Sequence, residues 1–377
     1  MHSPVPVKHV AVLGGGILGV STAVHLLRDG ASVVLVTDAC VASGASGRSL
    51  AWLNSAGTRP EAYHRLRMAG IDRYRTLLEQ HAGIDWLGFG GGIHWDGPGS
   101  GEALRERHDA ETGHAYASRL LREGEVGEAL AGIDPAVDPG SVAGPAVSNP
   151  GEGWVSLPHL IRHLLVEFRA LGGELHEHAG KAAVAVENGR TVGLQLPGGG
   201  TVRADAVLVA AGADTPAVVG ELGINLPDAS DLAMLVITEP AGTPLSSVLN
   251  TPRVSVRPHP GNRLAMDHTW FLDRIIRDPS GAYSIDPATV QELADEASRV
   301  LAGHPALHPA EYLIGRKPVP GDGLPVLGEL EGAPGCFVAF THSGATLGLI
   351  AGELLAQEIL TGRRHPMLAE FRAERFS

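Results

Sequence analysis

Three glycines, Gly14, Gly16 and Gly19, stand where an apolar run from His9 to Leu13 gives way to a helical pattern. That spacing suits pyrophosphate chemistry. Gly14 makes a tight turn, Gly16 lets the backbone approach the phosphates, and Gly19 allows helix and strand to pack closely, with Ile17 and Leu18 opening the helix. The anion would rest on the helix N-terminus. By itself the motif leaves NAD and FAD both open. A second glycine-bearing turn, Thr341-His342-Ser343-Gly344, runs into Ala345-Thr346-Leu347 and another apolar helix. The start of such a helix carries unpaired N–H groups and partial positive charge, suited to a group that gains negative charge. His159, His163 and Glu167 recur at i, i+4 and i+8, a spacing that can hold a divalent cation. They lie opposite the apolar side of their helix, which reads as a solvated polar face, and no metal is expected. The chain has no G-x-S-x-G elbow and no C-x-x-C pair.

The elements that must position these residues are legible in outline. His9–Leu13, a helix to about Arg28 closed by Asp29-Gly30, and Ser32–Val36 form one βαβ unit. Helical periodicity is expected to dominate from Trp52 to about Gly92, with Leu66, Ile71, Tyr74, Leu77 and Leu78 on its apolar face. Pro158 to Leu171 reads as an amphipathic helix stopped by Gly172-Gly173, and strands follow at 182–186, 192–196 and 206–210. Three further runs, 233–238, 254–257 and 263–266, predict an antiparallel sheet, the last two joined across His259-Pro-Gly-Asn262. Asp286-Pro287 starts a helix through Leu301, and a final strand, Cys336 to Phe340, leads into the Thr341 turn.

Composition bounds the function classes. At 377 residues the chain has room for two or three domains at roughly 150 residues each. Its 50 Gly and 26 Pro stay below the share that marks a disordered polymer. A net charge of −13 lacks the electrostatic footprint for nucleic acid or anionic membrane. Two cysteines, Cys40 and Cys336, fit a reducing compartment, and the expectation is a cytoplasmic protein. Cys336 reads as core rather than as a point of covalent flavin attachment. Met1 to Lys8 shows no targeting signal, and no apolar run is long enough to span a membrane.

Five blocks occur in a fixed order: residues 9–19; Gly44-Ala-Ser-Gly-Arg-Ser49; Gly153-Trp-Val155; Ala204 to Ala213, which contains Gly212; and Pro318 to Gly328 followed by Thr341 to Leu347. In that order the chain resembles the D-amino-acid-oxidase-like family of FAD-dependent oxidoreductases, the group that includes glycine oxidase and sarcosine oxidase. The resemblance implies an α/β fold, α+β overall. A Rossmann-like FAD-binding domain would be assembled from residues 1–90, 150–225 and 312–377, with an inserted antiparallel-sheet substrate domain at 91–149 and 226–311. It implies non-covalent FAD and oxidation of the C–N bond of a small amine or amino acid to an imine, by hydride transfer to flavin N5. Oxygen or another acceptor would take the electrons, and an oligomer is left open. An NAD(P)-dependent dehydrogenase and a non-catalytic flavin-binding module are the competing readings.

Residue by residue, the family's ribose-binding Glu is matched by Thr37, with Asp38 as the substitute. Since neighbouring side chains on a strand point to opposite faces, Asp38 needs a local bend. Ala45, Ser46, Gly47 and Arg48 match the segment along pyrophosphate and flavin. Leu50, Ala51 and Trp52 would pass beside the isoalloxazine, and Ala183 would offer backbone to the adenine. The turn His342, Ser343, Gly344, Ala345, Thr346 and Leu347 would face the flavin, His342 being either a participant or a turn residue. Where the family places an Arg before Pro to grip a carboxylate, this chain has Lys317, with Arg316 before it. Arg is a bidentate fork and Lys a point charge, so which of the two would serve stays open. At about the place where the sarcosine-oxidase branch carries a Lys for oxygen activation stands Leu264.

Overall fold

The computed structural model describes residues 8–377. The expectation of no targeting segment falls almost wholly on residues 1–7, outside the described ones. The chain divides into two compact units, one of residues 1–47, 157–231 and 316–377, the other of residues 48–156 and 232–315. Against the expected bounds, residues 48–90, 150–156 and 312–315 fall in the second unit and 226–231 in the first. The reason for the first two is local pairing: Trp52–Leu53 and Leu87–Gly88 both hydrogen-bond to Gly153–Val155 as short antiparallel strands.

The first unit is built on a six-stranded sheet in the order Val326–Glu329, Cys336–Phe340, Ala206–Val209, His9–Leu13, Ser32–Val36, Glu174–His176. All neighbours are parallel except the first pair. Strands buried on both faces require continuous apolar runs, and Val10-Ala-Val-Leu13 supplies one. Helix Ile17–Arg28 crosses back over the sheet and ends at Asp29, with Gly30 at φ +86°. Helix Gly344–Thr361 packs on it so closely that a Cβ on Gly352 would stand 2.3 Å from Ser21 Oγ. A separate antiparallel sheet, Ala183–Glu187, Arg190–Gln195 and Thr201–Arg203, completes the unit. Cys336 is buried in the sheet core, where burial pushes its thiol up to about 12, as befits a core residue.

The second unit carries an eight-stranded sheet in the order Pro309–Lys317, Asp231–Thr238, Arg263–Asp267, Ser255–His259, Val248–Asn250, Gly92–His94, Ala146–Asn149, Arg119–Leu121. Its strands are not all antiparallel as expected: Val248–Asn250 runs parallel to Gly92–His94. Two segments far apart in sequence meet there, and no hairpin dictates their direction. One face packs under helix Pro287–Arg299 through Val236, Val256, Leu264, Met266, Val290 and Leu293. That helix starts as the sequence predicts, Asp286 accepting from Ala288 N–H at 2.9 Å with Pro287 at the first position. The expected helix from Trp52 to Gly92 is shorter, Glu61–Gln80, because both ends of the segment are taken into strands. Among the described residues no helix is long and apolar enough to cross a membrane.

Candidate functional site

The glycine loop is the meeting point of the first unit. A Cβ on Gly14 would stand 2.2 Å from Ala210 O, and one on Gly19 would stand 2.0 Å from Gly14 O. Both glycines are therefore demanded by the protein's own packing. Gly16 is different: its Cβ would meet only Ser46 Oγ, at 3.3 Å. Nothing in the unit itself fills the space beside it, which leaves room for a group from outside. Ser46, placed by the short 3-10 turn Ala45–Gly47, accepts from Ile17 N–H at 3.0 Å. The helix N-cap is Gly16 itself, with no side-chain cap and no acid in the first turn.

Several of the other expected segments meet the same loop. Thr37 is buried, its Oγ1 lying 3.1 Å from where a Gly15 Cβ would be. Asp38 is exposed at the start of the bend its expected role requires. Ala42 N–H donates to Gly15 O, and Gly212 opens a 3-10 turn directly after the Ala210-Ala211 backbone that abuts Gly14. Helix Gly344–Thr361 begins beside helix Ile17–Arg28: a Gly344 Cβ would be 3.8 Å from Ile17 Cγ2. Its N-cap, Ser343, makes no side-chain cap, and its first turn holds no acid. Two helix N-termini thus lie side by side, neither with an acid in its first turn, each carrying the partial positive charge of its aligned N–H groups. Thr341 is buried, and its Oγ1 accepts from Ser343 N–H at 3.1 Å. His342 is exposed, and Ala183 is half-buried at the head of its strand. The residues present fit a dinucleotide of FAD type.

Of the two cations expected to grip a carboxylate, Arg316 is committed elsewhere. Its Nη1 donates to Asp214 at 3.1 Å and its Nη2 to Asp228 at 2.9 Å. Lys317 is half-buried and takes part in neither pair.

Arg48, Leu50, Ala51 and Trp52 belong to the second unit. Arg48 lies across Gly315, whose missing Cβ would be 2.3 Å from its Nη1. Ala51 holds φ +55°, a region alanine rarely visits, fixed by Ser49 Oγ accepting its N–H and by Val155 N–H donating to its carbonyl. Trp52 pairs with Trp154 across the strands and donates Nε1–H to Glu152 at 2.7 Å. Leu264 is buried in the core under helix Pro287–Arg299, on the opposite sheet face from Ala265, which lies among Leu50, Trp154, Leu235, Ile237 and Val248. The position is not lysine on either face.

Glu152 and Tyr116 were not singled out by sequence. Glu152 is fully buried and accepts from Trp52 Nε1 and from Tyr116 OH at 2.6 Å; Ser55 N–H donates to the same phenol. Burial pushes the carboxyl up to about 8, against the opposing pull of Tyr116 and Arg107. Its only sequence signal is a place one residue before the Gly153 block. Because the folded pKa is raised, the group's contribution to stability is intact below the ordinary Glu range and is lost as pH rises toward 8. Glu152→Gln, which cannot ionise, is expected to melt close to the parent at pH 5 and above it at pH 8. Parallel melting curves at both pH values would overturn the assignment.

The comparisons with known proteins agree with this geometry. A family described as FAD dependent oxidoreductase matches residues 9–358. Glycine oxidase of Pseudomonas aeruginosa is 27% identical over 378 residues, covering 94% of this chain and 95% of that one. An opine oxidase polypeptide of Agrobacterium tumefaciens is 23% identical over 381 residues, covering 97% of each. The crystal structure of glycine oxidase from Geobacillus kaustophilus superposes with a TM-score of 0.81 at 24% identity, covering 97% of this chain and 98% of that one. The glycine loop that meets the second helix start, and a family match across nearly the whole chain, place this protein in the DAO family of FAD-dependent oxidoreductases.

Proposed function

We propose that the protein oxidises the C–N bond of a small amine or amino acid to an imine. The observation that carries this reading is the pair of adjoining helix N-termini, neither with an acid in its first turn, beside the open side of Gly16. Relatives named glycine oxidase and opine oxidase support the substrate class. When bound, the flavin supplies the acceptor for the substrate's hydride. The chain's own work is binding and orientation. Gly14 to Gly19, with Ser46, hold the pyrophosphate end, with Thr37 or Asp38 toward the ribose and Ala183 toward the adenine. The start of helix Gly344–Thr361, from His342 to Leu347, offers its N–H groups where negative charge gathers. In the second unit, Glu152 keeps the Trp52 indole in one orientation.

The electron acceptor is oxygen or another oxidant. Two free cysteines, Cys40 and Cys336, support a reducing compartment, the cytoplasm.

The protein is expected to purify yellow, and acid precipitation should leave the colour in the supernatant. Flavin remaining on the denatured chain would refute non-covalent binding. Anaerobic bleaching by a panel of amino acids, N-methyl amino acids and simple amines tests the reaction class; a flavin that none of them reduces would refute it.

A further inference from the structure

Arg257 is the anomaly of the second unit. It sits in the middle of strand Ser255–His259 and is only 1% exposed. The Val254–Val256 alternation predicts a side chain on the face away from helix Pro287–Arg299, and the register sets it opposite Ala265, itself opposite Ile237. That face is apolar: Leu50, Trp154, Leu235, Ile237, Val248 and Ala265 pack there, with Trp52 against them.

A buried guanidinium without a counter-charge is costly, and proteins ordinarily pair it. Arg372 in the first unit shows the ordinary solution, a bidentate pair with buried Glu358. Arg257 has no such partner among the described residues. Its Nε donates to Leu50 O, and its Nη1 donates to Pro258 O at 2.6 Å and lies 3.4 Å from His259 Nδ1. The guanidinium carbon stands 5.2 Å from the centre of the Trp154 ring. Two backbone carbonyls and an aromatic face hold the fork in place, yet they neutralise none of its charge, and Nη2 donates to none of the described residues. Burial pulls its pKa down to about 9, countered only by Asp267 at longer range.

We propose that Arg257 is the residue that grips the substrate's carboxylate, with Nη2 donating to the acid and the surrounding Trp52, Trp154, Leu235 and Ile237 receiving the apolar part. The proposal rests on the amino-acid reading above and narrows it to substrates bearing an acid. It explains why Arg316 can be spent on Asp214 and Asp228 and why a fork need not precede Pro318.

The test uses the FAD-loaded protein and two probes of one shape, propionate and propionamide, titrated by calorimetry into the parent, Arg257→Met, Arg257→Lys and Lys317→Met. The parent is expected to prefer the acid. Arg257→Met should weaken propionate by roughly 10- to 150-fold, the range for one charge-assisted hydrogen bond, and leave propionamide unchanged. Arg257→Lys keeps the charge and can still reach Leu50 O, so it serves if the Met variant loses its fold; it should fall between parent and Met. Lys317→Met should keep the acid preference. Equal binding of both probes by the parent, an unchanged preference in the Arg257 variants, or a loss confined to Lys317→Met overturns the assignment. Failure of every amine to bleach the flavin would instead sink the amine-oxidation reading, because the propionate comparison needs no turnover.

Discussion

Gly16→Val is expected to give a folded protein that holds almost no FAD. The Cβ at Gly16 meets nothing of the protein closer than Ser46 Oγ at 3.3 Å, a single hydroxyl that can turn aside. The valine therefore costs the apo fold little while its branches occupy the space a pyrophosphate needs. Flavin absorbance per chain should fall to below about a tenth of the parent's, and the variant should melt with the FAD-stripped parent, since a ligand bound at 100 times its Kd adds about 2.7 kcal/mol. Gly19→Ala provides the contrast. There the new Cβ would stand 2.0 Å from Gly14 O, a backbone atom that cannot swing away, and the expected result is loss of the fold itself. Full FAD occupancy in Gly16→Val would refute the placement of the loop, whatever the melting temperatures.

Arg372→Met is expected to be the most damaging substitution away from the cofactor. Arg372 and Glu358 are buried together, Arg372 Nη1 donating to Glu358 at 2.8 Å and Nη2 to its other oxygen. Gly328, at φ +121°, leaves the room: a Cβ there would fall 1.7 Å from Arg372 Nη1. Removing the arginine strands a buried carboxylate, a loss of about 3–5 kcal/mol. The double variant Arg372→Met with Glu358→Gln should recover part of it, because no uncompensated charge remains. Chemical denaturation of the parent, both single variants and the double variant measures the coupling. Additive losses would show that the pair is not coupled. The final glycine of the block from Pro318 to Gly328, which reads from sequence as part of a family signature, is thus required by a guanidinium contributed from beyond the last long helix.

The glycine loop and the segments that meet it were legible. Gly14, Gly16 and Gly19 follow an apolar run and open a helix, and the structure brings Thr37, Ser46, Gly212 and Gly344 around them. These are short-range signals: a turn that needs glycine, a helix that needs a stop, a strand buried on both faces. The buried charges of the second unit were not legible in the same way. Arg257 sits in a short mixed strand, Ser255–His259, and Glu152 beside a glycine block, and neither looks unusual in sequence.

What the sequence by itself determined was the first βαβ unit, its phosphate turn and the capped helix at Asp286, because each is set by residues of one short stretch of chain. Tertiary structure alone decided the partners. It drew residues 48–90 into the second unit through Gly153–Val155, set Val248–Asn250 parallel to Gly92–His94, and gave Arg316 to Asp214 and Asp228. It also buried Glu152 between Trp52 and Tyr116 and left Arg257 held by backbone carbonyls rather than by a carboxylate. The physical reason is common to all of these. The free energy of a buried charge or an edge strand depends on what closes over it, and that group comes from a distant part of the chain, beyond the reach of periodicity or spacing.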